Sequence, residues 1–510
     1  MPLLDIIFII ILAWIIVYYL ALRFGKKYFA PYGPALLLKT SVGIKTIERV
    51  SRNKFWDYFL SAFYYIIPLL GFLTIILLIW EAVLVLSIPK SEALPLTYIL
   101  ALPGINPAIP ILYGIVGLIV AVALHEASHG IAARRFNIKV KSTGLLWLII
   151  PVGAFVEPDE EEVKQRDPKT RAKIFAAGPA MNIIIAIVTI IAAVSIANYI
   201  APVPGAVVYG SINPSFQPGE IIQSIDNIHI TNYSQIFSLS LIPGNMVNVT
   251  VLSHNPNVEI NGDRVSANNS MNINGNEYYR FEIRTYYGLY ITGLIKDSPA
   301  YNSTIKVGSV LISLNGQYIY NYSDFLKIFY KYKPGDTITL TALSSGKLEN
   351  YTVTLGSRYN YLLSQGVTPS PGDKNLPYLG VYLDPLGLEY FDQYSYLNLI
   401  RNPFSQGILG LFIYVGLPLH FEMPLPDVLM YSYASSPTVW ILEETFYWLF
   451  WLNFALGLTN VLPIVPLDGG YVLMNIPVLN KNEKLRNYIV AAVSLIILFL
   501  IMWQIIIPRI

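Results

Sequence analysis

Two histidines and a glutamate lie in an apolar part of the sequence, where such polar side chains are unexpected, in the stretch Ala123-Leu-His-Glu-Ala-Ser-His-Gly130. An apolar run that begins near Ile109 leads directly into it. On a helix, His125 and His129 are one turn apart on the same face, so both imidazoles can reach one Zn²⁺ at about 2.0 to 2.1 Å. Glu126 is their neighbour in the sequence. The spacing predicts a two-histidine metal site, and the alternative is a solvated helix end, because the bare pattern also arises by chance.

A catalytic zinc ion needs a third protein ligand and an open position for water. Asp468 is the best candidate, in the stretch Asn460-Val-Leu-Pro-Ile-Val-Pro-Leu-Asp-Gly-Gly470 that follows a later apolar segment. An unpaired carboxylate at membrane depth would cost several kcal/mol, and coordination to a cation removes that cost. Pro463 and Pro466 interrupt the helix there and free backbone groups. We therefore expect Asp468 to join the two histidines, and the alternative is an ordinary loop at a helix end.

The composition indicates a membrane protein. Of 510 residues, 54% are hydrophobic and only 13% are charged, and the mean hydropathy is +0.51. A net charge of +2 suggests no nucleic-acid partner, and the lack of Cys excludes thiolate ligands and a cysteine nucleophile. We predict six apolar segments long enough to cross about 30 Å of hydrocarbon. They are 3–22, 58–87, 109–133, 174–200, 442–462 and 489–507.

The distribution of basic residues predicts the orientation. The loop after the first span contains eight Lys and Arg residues, whereas the loop after the second offers only Lys90. The positive-inside rule therefore places the first loop, and with it the metal-binding stretches, on the cytoplasmic side. Residues 201 to about 392 would lie outside the cytoplasm. The apolar segment 402–420 is short for a span, and we predict that it is interfacial or re-entrant.

A further apolar stretch is broken by turn-forming residues. Between Lys141 and Glu157, the chain is apolar but is interrupted by Gly144, Pro151 and Gly153. Non-helical backbone at membrane depth is tolerated only where it lines a cavity in the protein. The pattern predicts a re-entrant β-hairpin, and an unpaired strand edge in it could accept an extended peptide by strand addition.

The polar region between the fourth and fifth spans contains an internal repeat. Residues 218–234 align without gaps on residues 307–323. In each copy a Gly opens an alternating apolar strand, a turn pair follows, and Asn-Tyr-Ser precedes a helical segment. The repeat predicts two α+β units of the same fold.

Each copy resembles a PDZ domain, and the resemblance covers residues 203–286 and 287–357. It implies that an added peptide strand pairs beside a helix and that a backbone loop holds its terminal carboxylate. By position, those loops would lie near residues 205–208 and 287–290. A steric filter that admits only some substrates is the alternative role.

The membrane motifs together resemble the site-2 protease family of intramembrane zinc metalloproteases. The family has an HExxH helix, a later Asn-x-x-Pro-x-x-x-x-Asp-Gly motif and often Gly-x-x-x-Asn between them. This chain supplies His125, Glu126 and His129, then Gly178 and Asn182, then Asn460, Pro463, Asp468 and Gly469.

The resemblance implies a role for each of these residues. His125, His129 and Asp468 would bind one Zn²⁺ per chain, and Glu126 would be the general base. Asn460 would bind the substrate backbone or hold the bend open. The loop around Gly153 would receive the substrate. Close helix packing with one interhelical hydrogen bond is the favoured explanation of the Gly-x-x-x-Asn pair.

The implied activity is hydrolysis of peptide bonds in or near transmembrane segments of single-pass proteins, including pre-cleaved ones. The PDZ-like domains would bind peptide termini or substrate ectodomains. We expect a multi-pass protein of the plasma membrane, with the PDZ-like insert outside and the active site toward the cytoplasmic side.

This interpretation divides the chain into six parts. They are N-terminal transmembrane helices with a cytoplasmic loop (1–108), the first part of the catalytic core (109–200), two PDZ-like domains (203–286 and 287–357), a linker with the interfacial segment (358–440), and the second part of the core (441–510).

Two other functions are compatible with the sequence. A non-proteolytic membrane scaffold, or pseudoprotease, would use the PDZ-like domains and leave the HExxH segment inert. An unrelated membrane zinc protease could instead take Glu443 or Glu444 as its third ligand.

Overall fold

The computed structural model of the chain describes residues 3–25, 28–87, 94–148, 150–260, 263–267, 269–420 and 425–509. The chain divides into two compact units. The first combines Met1–Ala193 with Glu444–Ile510, and the second consists of Val194–Glu443.

The helices are listed here in chain order. They are α1 (Leu3–Phe24), α2 (Ile44–Ser51), α3 (Phe55–Leu84), α4 (Ile111–Arg135), α5 (Glu160–Lys164), α6 (Pro168–Ala197), α7 (Tyr233–Ser238), α8 (Pro299–Asn302), α9 (Tyr322–Phe329), α10 (Arg358–Ser364), α11 (Gln393–Arg401), α12 (Ile408–Val415), α13 (Leu417–His420), α14 (Asp427–Met430), α15 (Pro437–Val461), α16 (Asp468–Met474) and α17 (Glu483–Ile506).

The strands fall into a short N-terminal group and two larger groups in the second unit. They are β1 (Phe29–Tyr32), β2 (Ala35–Thr40), β3 (Val140–Leu148), β4 (Ile150–Pro158), β5 (Ala206–Ser211), β6 (Ile221–Ile225), β7 (Ile228–His229), β8 (Met246–Ser253), β9 (Asn257–Ile260), β10 (Asp263–Ser266), β11 (Asn269–Ile273), β12 (Asn276–Tyr286), β13 (Leu289–Leu294), β14 (Val310–Leu314), β15 (Gln317–Tyr318), β16 (Thr337–Ser344), β17 (Lys347–Thr354), β18 (Gly356–Ser357), β19 (Pro377–Tyr378), β20 (Val381–Pro385) and β21 (Leu388–Phe391).

Among the described residues, four helices are long and apolar enough to cross a membrane: α3, α4, α6 and the segment Glu483–Arg509 that contains α17. Two further predicted spans are helical but do not meet the same criterion. In α1, only Ile11–Phe24 counts, as a shorter apolar helix. The 25-residue helix α15 is less apolar because it contains Glu443, Glu444 and Asn453, whose side chains are buried. The structure thus supports a multi-pass protein, and the count of six spans stays a prediction.

Small side chains allow the helices of the first unit to pack closely around the HExxH segment. Alanines on α4 and α6 lie in one buried cluster with aromatic side chains of α3, and such small residues let helix backbones approach one another. The alanines are Ala132, Ala133, Ala176, Ala177 and Ala180, and the aromatic residues are Trp56, Phe59 and Phe63.

The predicted hairpin is present as β3 and β4, which pair antiparallel from Val140 opposite Pro158 to Leu148 opposite Ile150. Its re-entrant position in a membrane stays a prediction. A feature not predicted is that the loop after α1 forms its own hairpin, β1 and β2, which joins β3 to give the order β1-β2-β3-β4. The sequence predicts this part only as a loop between two spans. An ion pair of 2.8 Å between Lys39 and Glu157 spans this sheet. In this order β3 pairs with β2 on one side and with β4 on the other, so β4 forms an outer edge of the sheet.

The second unit contains two sheets that repeat the same plan. Their strand orders are β11-β12-β8-β6-β5-β21 and β17-β16-β14-β13-β20, with β7 paired to β6 and β15 to β14. The repeated sequences form equivalent elements, since β6 and β14 are each followed by a short strand and then by α7 or α9. Each sheet encloses its own apolar core.

The segment 358–440 is not only a linker. Its strands β20 and β21 complete the two sheets, because β20 pairs with β13 and β21 pairs with β5. The strands that begin in the predicted carboxylate loops, β5 and β13, therefore have partners on both sides, so no peptide can add directly beside them. Local patterns could not reveal this pairing, because the partner strands lie about 90 and 180 residues apart in the sequence. The carboxylate-binding role of residues 205–208 and 287–290 stays a prediction.

Candidate metal centre

Helix α4 holds both histidines of the HExxH segment on one buried face. The His125 Nε2 and His129 Nε2 atoms are 3.2 Å apart. His125 is 6% exposed, and its neighbour Ser128 is also buried. The helical period alone accounts for this arrangement, because residues four apart lie one above the other on a helix.

Asp468 meets the two imidazoles, as predicted. Its Oδ2 atom lies 3.0 Å from His125 Nε2 and 3.2 Å from His129 Nε2. Among the described residues, these three form a group whose ligand atoms all lie within 4.8 Å of one another, and the group does not contain Glu443 or Glu444.

Two glycines in the first turn of α16 let this helix pack closely against the chain that precedes it, which brings Asp468 to this position. A Cβ atom on Gly469 would lie 2.5 Å from Leu462 O, and one on Gly470 would lie 2.5 Å from the carbonyl carbon of Ile464. Both distances are shorter than real Cβ contacts, so this turn requires residues without side chains. This close packing explains why position 469 is a glycine, which the motif alone did not explain.

The hydrogen bonds behind the imidazoles determine which nitrogen faces the site. His129 Nδ1 lies 2.8 Å from Ile174 O, which can only accept, so Nδ1 carries the proton. His125 Nδ1 lies 2.6 Å from Asn182 Oδ1. Asn182 Nδ2 donates to Ala121 O and to Asn453 Oδ1, so the Asn182 oxygen must face His125 and accept from it. Both Nε2 atoms therefore present lone pairs to the site.

This atom set fits a zinc ion. Two imidazole lone pairs and a carboxylate oxygen converge, and all three are acceptors that would repel one another without a cation between them. Tetrahedral ligands at about 2.0 to 2.1 Å from a metal are about 3.3 Å from one another, close to the separations found here. Histidine ligands normally donate their second N–H to an amide or a carbonyl, as His125 and His129 do.

Gly178 lies directly beside the ligands. A Cβ atom at this position would be 2.5 Å from His125 Nε2. Both residues of the Gly-x-x-x-Asn pair therefore act on the imidazoles. Gly178 leaves room for them, and Asn182 orients one of them. The explanation favoured from the sequence, helix packing with an interhelical hydrogen bond, accounts for the close packing but not for the contacts of these two residues with the imidazoles.

Glu126 faces the same site and contacts the re-entrant hairpin. Its Oε2 atom accepts a hydrogen bond of 3.2 Å from the backbone N–H of Val156 in β4. Gly130 allows the close approach of α4 to β4, because a Cβ there would be 2.8 Å from the Val156 side chain. The carboxylate next to the metal ligands is therefore fixed to the outer strand of the sheet.

The remaining predicted site residues lie at different distances from the ligands. Asn460 lines the same cavity, and its Nδ2 donates to Leu456 O within α15. Pro463 instead lies near Gly71 of α3, in a small apolar cavity. Gly153 is in β4 opposite Leu146, and a Cβ there would find only ordinary contacts at 3.8 and 4.0 Å.

A cavity of about 770 Å³ opens onto the ligands. Its wall includes Glu126, the apolar side chains of Val156, Ile174 and Phe175, and the Tyr471 ring, which stacks on Phe175 with centroids 4.7 Å apart. This volume is large enough for several residues of an extended peptide.

Sequence reasoning missed Asn453, which is fully buried and holds Asn182 in place. It also missed Gly130 and the cavity residue Arg171. An amide within the apolar second half of α15 was a usable signal for Asn453, because buried polar groups in membrane helices need a partner. The other two depend on packing between distant segments.

Apolar helices, an HExxH helix and a carboxylate ligand from a later helix define the metallopeptidase class of membrane proteins. The chain belongs to peptidase family M50, the site-2 protease family, whose model matches residues 113–502. This match confirms the family resemblance of the motifs.

Individual relatives agree with this assignment. A protein of Neisseria meningitidis serogroup A named as a zinc metalloprotease is 25% identical over 70% of this chain and 88% of its own length. A Bartonella henselae protein with the same kind of name is 26% identical over 36% of this chain and 54% of its own length. An uncharacterized protein of Methanocaldococcus jannaschii is 36% identical over 36% of this chain. The chain spans about half the length of the last two relatives, 54% of the Bartonella henselae protein and 49% of the Methanocaldococcus jannaschii protein.

Proposed function

We propose that this protein is an intramembrane zinc metalloprotease of the site-2 protease type. It hydrolyses peptide bonds in or near the transmembrane segments of single-pass membrane proteins, including pre-cleaved ones. The observation that supports this most directly is the convergence of His125, His129 and Asp468 beside Glu126, at the wall of one cavity. One Zn²⁺ per chain is the metal that this ligand set suits best.

Zinc held by these residues would supply Lewis acidity toward the peptide carbonyl and lower the pKa of water to about 7. Glu126 accepts the proton of the attacking water and passes it to the departing amine. The N–H of Val156 keeps the Glu126 carboxylate in one orientation for both transfers. Asn182 and Ile174 O hold the protons on the Nδ1 atoms, so that both Nε2 atoms remain free to coordinate.

A helical substrate must unwind before it is cut, because its peptide groups are hydrogen-bonded within the helix. The outer edge of β4 is the place where an unwound segment can find replacement hydrogen bonds. Its contact with Glu126 at Val156 puts this edge beside the base, so a strand added there would cross the metal centre. Gly153 lies on the same strand and serves the edge rather than the metal.

In the second PDZ-like unit, the strand that can accept a peptide is β20 rather than β13. One side of β20 is paired with β13, and the other side lies at the end of the sheet. A cavity of about 310 Å³ between β20 and α9 is lined by Tyr322, Phe325, Val381 and Leu383. This groove would bind a peptide terminus or an extended part of a substrate ectodomain. The alternative, a steric filter, needs no affinity for peptides.

The orientation follows from the basic loops. The metal centre would lie toward the cytoplasmic side of the plasma membrane, with residues 201 to about 392 outside. Labelling of single introduced cysteines in this Cys-free chain with a membrane-impermeant reagent tests this orientation directly.

The activity is tested with the purified full chain and a single-pass helical substrate in lipid nanodiscs. Glu126→Gln should abolish cleavage and retain one zinc ion per chain, because the base is lost but the ligands remain. Asp468→Ala should lose both zinc and cleavage. Glu161→Gln, an exposed change near the cavity, is the matched control and should cleave like the natural chain. Full activity of Glu126→Gln would contradict the mechanism, and an inactive natural chain with zinc bound would favour the pseudoprotease.

A further inference from the structure

Arg171 differs from every other basic residue around the catalytic cavity. It lines this cavity together with the metal ligands, and its Nε atom is buried without a hydrogen-bond partner. Among the described residues, no carboxylate forms an ion pair with its guanidinium. Burial of an unpaired donor on a charged group costs more than 1 kcal/mol, so this arrangement needs a reason.

The neighbouring basic side chains all have partners. Lys164 pairs with Glu161 at 2.9 Å, and Arg486 pairs with Glu483 at 3.1 Å. On the same helix as Arg171, the Lys169 ammonium lies over the Tyr64 ring and Lys173 donates to a serine hydroxyl. A positive charge needed only for the orientation in the membrane would not require burial of the Arg171 Nε atom, because such a side chain can extend fully into water.

The position of Arg171 on α6 aims it at the site. Ile174 and Phe175 follow it by three and four residues, so all three lie on one face of the helix. Ile174 O holds His129, and Phe175 stacks on Tyr471, three residues beyond the ligand Asp468. One helix face thus presents the carbonyl that orients His129, an apolar wall and a half-buried guanidinium that, among the described residues, has no carboxylate partner.

We propose that Arg171 binds a carboxylate of the polypeptide that is being cleaved. The proposal rests on the proposed proteolytic function and adds a substrate preference to it. A guanidinium forms two parallel hydrogen bonds with a carboxylate, and the apolar walls of the cavity strengthen such a pair. The peptide is the expected ligand because the cavity that contains Arg171 also contains Glu126. The carboxylate comes either from an acidic side chain near the cleaved bond or from the new C-terminus that hydrolysis creates.

The test begins with the natural chain and one cleaved substrate. After the cut is mapped by mass spectrometry, Asp and Asn versions of the substrate are compared at successive positions on either side of it. At one position, the Asp version should have a KM about 10- to 100-fold lower than the Asn version, which is the range for a hydrogen bond to a charged group. Arg171→Gln should remove this difference, leave kcat and zinc content nearly unchanged, and be partly rescued in Arg171→Lys. Lys169→Gln is the control on the same helix and should retain the difference.

A binding measurement that does not require catalysis separates the two sources of the carboxylate. Product-like peptides ending in a free acid or in an amide are titrated onto the zinc-loaded Glu126→Gln chain. Preference for the free acid that disappears in the Glu126→Gln/Arg171→Gln chain identifies the new C-terminus, because a carboxylate bound only to zinc would keep its preference in that chain. Preference for an internal Asp over Asn that disappears in the same variant identifies a side chain. The proposal is overturned if Asp and Asn substrates, and acid and amide peptides, behave alike. It is also overturned if Arg171→Gln slows both substrates equally. Absence of cleavage by the natural chain, with selective acid binding intact, would instead contradict only the proteolytic function.

Discussion

His125 donates a hydrogen bond of 2.6 Å from Nδ1 to Asn182 Oδ1, a residue 57 positions later on another helix. Through this bond, an amide in the apolar interior determines the orientation and the tautomer of a proposed metal ligand. Asn453 in turn accepts from Asn182, so three helices contribute to the position of one imidazole. The site is therefore built by the packing of the helices as much as by the HExxH segment.

We expect Asn182→Ala to weaken zinc binding about 10- to 100-fold, because residues that orient a ligand contribute this much to metal affinity. Hydrolysis should fall with zinc occupancy and recover when free zinc is raised. Competition with a fluorescent chelator measures the affinity. Asn198→Ala changes an exposed amide that donates only to Val194 O and should not alter it. Unchanged affinity in Asn182→Ala would mean that this hydrogen bond does not orient the ligand.

Gly178→Ala should destroy the metal site, whereas Gly153→Ala should be tolerated. A methyl group on Gly178 would lie 2.5 Å from His125 Nε2, and neither the ligand nor the helix can move without loss of the convergent geometry. A methyl group on Gly153 meets its nearest atoms only at 3.8 and 4.0 Å. Zinc content and cleavage are measured for both variants. Zinc-loaded, active Gly178→Ala protein would show that α6 can move away from α4.

The first PDZ-like unit should lose stability as the pH rises from about 4.5 to about 7. Burial raises the pKa of Glu220 from 4.5 to about 7, although the Gln217 N–H opposes this shift. Between these two pH values the folded state therefore binds more protons than the unfolded state. The free energy of unfolding falls by up to about 3 kcal/mol across this interval, and the contribution of Glu220 no longer changes above about pH 7. Hydrogen exchange of β6 amides, corrected for the intrinsic rate, reports this free energy in the full chain.

Glu220→Gln removes the titrating group and keeps an acceptor for the Gln217 N–H. It should abolish the pH dependence and stabilise β6 above pH 7. Glu389→Gln, an exposed change in the same sheet, should leave the pH dependence as it is. A flat pH profile in the natural chain would show that Glu220 reaches water in the folded state.

Tyr322→Glu should weaken peptide binding to the groove beside β20 by about tenfold or more. The change places a charge at the wall of a cavity whose other lining residues include Phe325 and Leu383, and a buried apolar contact of this size contributes about 1.5 kcal/mol or more. Tyr318→Glu, exposed in the same unit and outside this cavity, is the control. Fluorescence titration with peptides from a substrate ectodomain measures the effect. If neither variant nor the natural chain binds peptides, the steric-filter role is favoured.

The shared face of His125 and His129 was predictable because helix geometry relates residues four apart without reference to anything else. Asp468 was the candidate for a third group because a buried carboxylate is costly without a cation, and the structure brings it to both imidazoles. Zinc binding by the three residues stays a prediction. The hairpin of β3 and β4 was predictable from local composition, since glycine and proline prevent a helix over residues 142–156.

Residues whose role depends on distant contacts could not be found in this way. β20 and β21 look like parts of a linker because the strands that pair with them lie far away in the sequence. The hairpin of β1 and β2 was missed because nothing local shows that it extends β3. Asn182 has the same residue type whether it only joins two helices or orients a zinc ligand.

The sequence by itself determined that this is a membrane protein with an HExxH site and a repeated α+β insert, because composition, period and spacing are properties of the chain. Only the tertiary structure decided which atoms surround the site: Gly178 against the imidazoles, Val156 on Glu126, and the Arg171 guanidinium without a carboxylate partner in the part of the chain that the structure describes. Those contacts join segments that are remote along the chain, and close packing specifies them atom by atom.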